Sequence, residues 1–325
     1  MRLLAHLLLT WEANFNNYQS CRARILLIIQ SQFKRFPNPT SMPINCSLCQ
    51  VEAIFLFDAK DLNRKISDET FSYYRCPKCQ LAFLPQIPEN LDDYYSGYYQ
   101  FPTLETIAQT AAGERFKLEM VQQFKTAGKL LEIGPSIGVF CYQAKQAGFE
   151  VDAIEMSTDC CKFLSQEIGV NAVNSDNPPE AIKNMAAHDV IVLWHNIEHL
   201  PDPWACLEQV SQNLNPGGIL VVAAPNPDSL GFQVLGSKWP HVDAPRHLNL
   251  IPLKTLVEYL EPLKLKPLMT TTNDPGAQYW NRFSWQIYLM NCFNYNGKNY
   301  SQKSRWEWIF WAAIGYIFSL PLALL

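Results

Sequence analysis

From Lys129 to Ala224 the chain alternates β-type and α-type hydrophobic patterns, and this alternation restricts the fold more than any other feature. A strand over 129–133 is followed by a helix over 139–147, a strand over 150–155, a helix over 158–168, a strand over 170–174 and a short helix near 179–187. A strand over 189–194, a helix over 202–214, the turn Asn215-Pro216-Gly217-Gly218 and a strand over 219–224 complete the run. Ser157 is placed as an N-cap and Gly169 as a C-terminal stop. Strands separated by single helices require right-handed crossovers and hence a parallel sheet, which makes this segment α/β. Such sheets bind ligands at the carboxyl ends of their strands, where the strand order reverses.

The first strand runs into Gly134-Pro135-Ser136-Ile137-Gly138, and a helix opens directly after it. Glycines in such a turn let the backbone approach a ligand, and the helix N-terminus favours a carboxylate or phosphate. Glu155 ends the next strand, placed to accept hydrogen bonds from ribose hydroxyls. A nicotinamide dinucleotide site would call for G-x-G-x-x-G; this turn has G-x-x-x-G and does not favour it.

The stretch from Glu132 to Gly138 resembles the first motif of class I S-adenosylmethionine (SAM) dependent methyltransferases, E/D-x-G-x-G-x-G, with Ser136 at the middle glycine. Segments 189–203, 214–220 and 242–248 are similar to those of a subfamily with an N-terminal zinc ribbon from glycan and sugar-nucleotide pathways, so the likeness spans 46–263. It implies a Rossmann-like fold with a mostly parallel, seven-stranded type of sheet. It also implies that Gly134, Ser136 and Gly138 contact the methionine part of SAM, that Glu132 helps fix its ammonium group and Glu155 its ribose, and that Ser175 or Asp176 meets the adenine edge. The implied methyl acceptor is a small molecule, a saccharide or lipid-linked saccharide. Residues 265–272 are expected as the sixth strand, and no seventh is evident before Leu325.

Cys46, Cys49, Cys76 and Cys79 form two CxxC pairs, with 26 residues between the pairs. Four thiolates in two knuckles make the closed tetrahedral set of structural zinc, and β-like runs between the pairs suit a hairpin joining them. The other six of the ten cysteines are scattered, a pattern of reduced, intracellular proteins rather than of a disulfide framework. Segment 46–79 carries five basic and five acidic residues and the whole chain has a formal charge of −4, so no nucleic-acid partner is expected.

Four of the six histidines, His195, His199, His241 and His247, fall in loops on the expected cofactor side. A histidine titrating near neutrality can take the proton of a hydroxyl as it is methylated, which makes His247 and His195 the candidate bases. Tyr94, Tyr95, Tyr98, Tyr99 and Trp239 are candidates to line the acceptor pocket.

The boundaries read as an extension over 1–41, upstream of Met42; a zinc ribbon over 42–84; a Pro- and Tyr-rich linker or lid over 85–113; a methyltransferase domain over 114–275; and a C-terminal apolar segment over 276–325. Within the last, 306–325 holds one charged residue, Glu307, and is just long enough to span a bilayer. The expected location is cytoplasmic, with membrane contact through that segment. A non-catalytic SAM-binding scaffold and a zinc-ribbon nucleic-acid-binding module stand as the alternatives.

Overall fold

The computed structural model describes residues 43–292 together with Phe310 and Ala313. The chain divides into two units, Met1–Ile44 and Asn45–Leu325, and the described strands and helices lie in the second. The extension over 1–41 and nearly all of 306–325 lie outside the described residues. Among the described residues no helix is long and apolar enough to cross a membrane.

The chain enters through the cysteine-bearing hairpin, β1 (Ile54–Ala59) and β2 (Phe71–Arg75), which pair antiparallel with a bulge between Phe55 and Phe57. A short β3 (Ala82–Phe83) follows, then the tyrosine-rich segment with a 3-10 turn over Leu91–Tyr95, then helices α1 (Leu104–Gly113) and α2 (Arg115–Gln122). The α/β run is β4 (Lys129–Ile133), α3 (Val139–Gln146), β5 (Glu150–Glu155), α4 (Thr158–Phe163), β6 (Asn171–Asn174), α5 (Pro178–Lys183), β7 (His188–Trp194), α6 (Pro203–Asn213) and β8 (Leu214–Ala223). Then come α7 (Leu230–Leu235), β9 (Asn249–Leu250), α8 (Leu253–Leu260) and α9 (Pro275–Cys292).

Strands β4 to β8 form a parallel sheet in the order β6-β5-β4-β7-β8. The order reverses at β4, so the crevice expected of such a sheet opens at the carboxyl ends of β4, β5 and β7. The strands run as near-continuous apolar stretches because both faces are covered: Leu130, Val151, Ala153, Val190 and Val192 pack with Phe140, Ala144 and Leu164 in one core. Ser157 caps α4 by accepting from Cys160 N, and Gly169, at φ +71°, stops the turn of π-helix that extends it over Leu164–Ile168. Asp202 caps α6, with Pro203 at its first position.

Two expectations change. The Asn215-Pro216-Gly217-Gly218 turn is absorbed into β8 as a bulge: His188 pairs with Leu214, but Val190 already pairs with Ile219. The seven-stranded sheet is five-stranded among the described residues, and 265–272 is not its sixth strand. Pro267 removes a ladder donor in the middle of that run, and Leu268 and Met269 face outward at 67% and 43% exposure.

β9 does not join the parallel sheet. It pairs with β3, extending the hairpin sheet to β1-β2-β3-β9. A second core of Tyr73, Leu84, Phe232, Trp239, Leu248 and Leu250 forms beneath this sheet. The strand that follows Arg246-His247-Leu248 is thereby locked to the cysteine hairpin, and Leu84 N donates to Leu248 O at 2.9 Å.

Candidate cofactor and acceptor site

The loop after β4 holds three left-handed positions: Gly134 (φ +69°), Ser136 (+55°) and Gly138 (+77°). Ser136 therefore adopts the conformation for which glycine is favoured. The N–H groups of all three are taken up within the protein, by Ile154 O, Glu155 Oε2 and Pro135 O, which fixes the shape of the loop. The dipole of α3, which starts at the next residue, favours a negative group at the loop's open side.

Glu155, 3% exposed, closes this loop. Its Oε2 accepts from Ser136 N at 3.0 Å and its Oε1 from Ser157 N at 2.9 Å. Burial raises its pKa, and these N–H bonds oppose the rise. A carboxylate has about four acceptor positions, so two remain for hydroxyl donors. The Tyr99 phenol lies close enough for Glu155 to raise its pKa further, after the larger effect of burial. Ser175 is beside the same strand end: its N–H donates to Glu155 O, and its hydroxyl to Asn177 O. Asp176 is exposed.

Glu132 lies within β4, opposite Ala153 and Val192, and is 3% exposed. Its Oε2 accepts from the Cys141 thiol at 3.0 Å. Burial raises its pKa to about 7, against smaller pulls from Cys141 and Lys117.

The absent side chains of the two glycines serve protein neighbours. A Cβ on Gly134 would stand 1.9 Å from Asn196 Nδ2, and one on Gly138 would stand 2.4 Å from a Leu164 methyl. Asn196 is thus a site residue that spacing alone did not single out. Its Oδ1 is buried without a protein donor, an acceptor that an ammonium group beside Gly134 would satisfy. The residues present therefore fit an aminoacyl nucleoside: a helix N-terminus for a carboxylate, an orphaned acceptor for an ammonium, and a carboxylate for ribose hydroxyls.

A cavity of about 1940 Å³ lies along the outer edge of β8, and Gly134, Gly138 and Glu155 are not among its walls. Its walls include Lys117, Trp194, His195, Trp239, His241 and Trp280. His195 connects the two regions: its side chain, 39% exposed, opens to the cavity, while the next residue, Asn196, lies on Gly134. It stands at φ +52°, a strained setting for a non-glycine residue. Desolvation by the cavity walls, then the positive charge of Lys117, hold its imidazole below the ordinary range, so the ring is a neutral base.

His247, 7% exposed, sits deeper and is not part of that wall. Its Nδ1 is 2.8 Å from His241 O, and its ring packs edge-on to His199 at 4.6 Å. Burial holds it well below its usual pKa. Asp243 accepts from Arg246 N through its backbone carbonyl at 2.8 Å, and its carboxylate also bonds the Arg246 guanidinium and Asn63 Nδ2. Burial pushes Asp243 up, but Arg246 and His247 prevail and bring it to about 2. The tyrosines do not act as one group. Tyr94 is buried against Phe71, whereas the Tyr95 hydroxyl reaches His199 Nδ1 at 3.0 Å and Tyr98 lies under Arg246.

The four cysteine sulfurs lie within 4.8 Å of one another, with Cys46 and Cys79 at 3.7 Å. Zinc–sulfur bonds of about 2.3 Å put tetrahedral sulfurs about 3.8 Å apart, so the set fits zinc. The knuckles are near-copies. Gln50 and Gln80 take left-handed φ of +56° and +62°, their N–H groups close on Cys46 O and Cys76 O, and their side-chain amides donate to Ser47 O and Pro77 O. These glutamines adopt the turn that many knuckles build with glycine.

A family model described as "Methyltransferase domain" matches residues 105–266. The ubiquinone biosynthesis O-methyltransferase of Saccharophagus degradans is 30% identical over 118 residues, covering 34% of this chain and 50% of that protein. Its counterpart from Cereibacter sphaeroides is 27% identical over 143 residues, covering 42% of this chain and 58% of that protein. The chain thus spans about half the length of the curated relatives it matches. A solved SAM dependent methyltransferase from Archaeoglobus fulgidus is 22% identical with a TM-score of 0.41, covering 57% of this chain and 87% of that one. With the strand order of the sheet and the loop after β4, the match identifies residues 105–266 as a methyltransferase domain.

Proposed function

We propose that the protein transfers a methyl group from SAM to a small-molecule acceptor, a saccharide or lipid-linked saccharide, and releases S-adenosylhomocysteine. The observation that carries this reading is the loop with left-handed Gly134, Ser136 and Gly138, closed by Glu155, inside the segment that matches the methyltransferase family. SAM supplies a sulfonium-activated methyl group. The protein's part is alignment and exclusion of water. Gly134, Ser136 and Gly138 line the methionine part of the cofactor, the N-terminus of α3 receives its carboxylate, Asn196 Oδ1 and Glu132 are acceptors for its ammonium, and Glu155 is an acceptor for its ribose. Ser175 and Asp176 lie toward the adenine end.

His195 is the preferred base: a neutral ring with access to the cavity can accept an acceptor hydroxyl's proton as the methyl–oxygen bond forms. His247 is too enclosed to touch an acceptor directly and is assigned a supporting part. Trp194 and Trp280 in the cavity wall supply faces on which sugar C–H surfaces stack, which supports a saccharide. The four cysteines hold structural zinc in this reading, and segment 306–325 brings the cytoplasmic enzyme to a membrane surface.

The test is incubation of the full chain with methyl-labelled SAM and, separately, lipid-linked and water-soluble saccharide fractions. Label is expected in one saccharide fraction. Label that stays on SAM with every fraction, while S-adenosylhomocysteine still binds, would favour the non-catalytic scaffold.

A further inference from the structure

Glu198 is 1% exposed, and neither of its side-chain oxygens has a hydrogen-bond partner in the protein. It lies in the 3-10 turn Ile197–His199 that links β7 to α6, a turn clamped in place by Leu248 N, which donates to Glu198 O at 2.8 Å. One ligand atom from each of Glu198, His199 and His247 falls within 4.8 Å of the others. On the cavity side, His195 Nδ1 is 3.8 Å from Glu198 Oε1.

The tautomers of two of these rings follow from their partners. His199 Nδ1 is 2.9 Å from Arg246 O, and His247 Nδ1 is 2.8 Å from His241 O. A backbone carbonyl only accepts, so in both rings Nδ1 carries the hydrogen and Nε2 the lone pair. One nitrogen of each ring and a carboxyl oxygen thus gather in a buried space in which neither Glu198 oxygen meets a donor. The charged groups around them are otherwise engaged: Asp243 is paired with Arg246 and stands 3.7 Å from His247 Nε2, and Lys117 acts on His195. The Tyr95 hydroxyl is on the far nitrogen of His199. An ionised Glu198 would be a buried charge without a hydrogen-bond donor, a costly arrangement. A single hydrogen on the carboxyl removes the conflict.

We propose that Glu198 is a neutral carboxylic acid in the folded protein and a positioning residue for His195. From 3.8 Å a small approach lets one oxygen accept from His195 Nδ1–H and the other give its hydrogen to the bare nitrogen of His199 or His247, with His195 Nε2 left toward the cavity. The protonation state stands on the geometry alone; the role toward His195 rests on the methyltransferase reading. In that role the balance is simple. The acceptor hydroxyl's proton passes to His195 Nε2 as the oxygen–methyl bond forms and the sulfur–methyl bond breaks. The Glu198 hydrogen then moves to the histidine Nε2 it faced, leaving a carboxylate opposite the new imidazolium. Loss of one proton from His195 to solvent and return of the transferred hydrogen to Glu198 restore the start. Burial acts in the same direction, raising Glu198 to about 8 and holding His199 and His247 below their usual range.

The test compares thermal unfolding of the full chain with that of Glu198→Gln, an isosteric mimic of the neutral acid, from pH 5 to pH 9. A carboxyl with a raised folded pKa loses stability as pH climbs from its unfolded value, about 4.3, to its folded one. The Tm of Glu198→Gln minus that of the parent should therefore grow from pH 5 to about pH 8 and then level off. A variant less stable than the parent across the range, or a difference that does not change with pH, overturns the proposal. So does elemental analysis of the parent chain that finds a stoichiometric divalent metal beyond the one the four cysteines hold, since that metal would require the carboxylate; this measurement does not depend on the variant folding. Titration of S-adenosylhomocysteine into both proteins separates the two claims: no binding to either overturns the cofactor reading, while the unfolding data still decide the state of Glu198.

Discussion

Gly134 has no space for even a methyl group, because a Cβ there would stand 1.9 Å from Asn196 Nδ2. At φ +69° an L-residue is also strained. Gly134→Ala is expected to cost about 2–4 kcal/mol of stability, from overpacking and backbone strain together, and to weaken S-adenosylhomocysteine binding at least ~10-fold; denaturant unfolding and calorimetry read the two effects. Asp243 gives a prediction of opposite pH character to Glu198. Arg246 holds its folded pKa at about 2, below the unfolded value, so its stabilisation is present above about pH 4 and fades as pH falls toward 2. Asp243→Asn leaves the Arg246 guanidinium buried without its counter-charge and should cost about 3–5 kcal/mol near neutrality. The gap to the parent protein should narrow in melts followed by circular dichroism between pH 4 and pH 3.

Among the elements, the cysteine knuckles tie into the rest of the chain at several points. Trp204 Nε1 in α6 donates to Ser47 Oγ at 3.1 Å, Thr255 in α8 donates to Cys79 O, and the hairpin sheet takes in β9. Because β9 follows His247, disorder in the knuckles should reach the Glu198 loop. Stripping metal with a strong chelator is therefore expected to lower Tm by at least about 5 °C and to weaken S-adenosylhomocysteine binding as well, with zinc restoring both. A protein whose melting is unchanged by chelation would contradict the zinc assignment. The elements also show what a sequence can disclose. The strands from β4 to β7 follow from apolar runs bounded by caps and stops such as Ser157 and Gly169. β9 has two residues and no periodicity, and its partner β3 is 166 positions earlier by the Phe83–Asn249 pairing, so only tertiary packing defines it. Segment 265–272 has the composition of a strand but carries Pro267 and keeps Leu268 exposed.

At the scale of the molecule, two sheets meet at the loops that follow β7 and precede β9. The parallel sheet supplies Gly134, Glu155 and His195, and the hairpin sheet anchors the segment bearing Asp243, Arg246 and His247. The glycine loop and Glu155 were legible in the sequence because a strand end, a turn and a second strand end are local signals. Asn196 was not, because its importance lies in a contact with Gly134 from another strand. Nor could spacing tell that His195 opens to the cavity while His247 is enclosed, since both lie in loops of similar composition. The central claim is that the loop from Gly134 to Gly138 and Glu155 together bind an aminoacyl nucleoside. Calorimetric titration of S-adenosylhomocysteine into the full chain and into Gly134→Asp tests it most directly. One site per chain in the parent protein, lost in the variant, is the predicted result; no heat of binding to the correctly folded parent, or equal binding to both proteins, would contradict it.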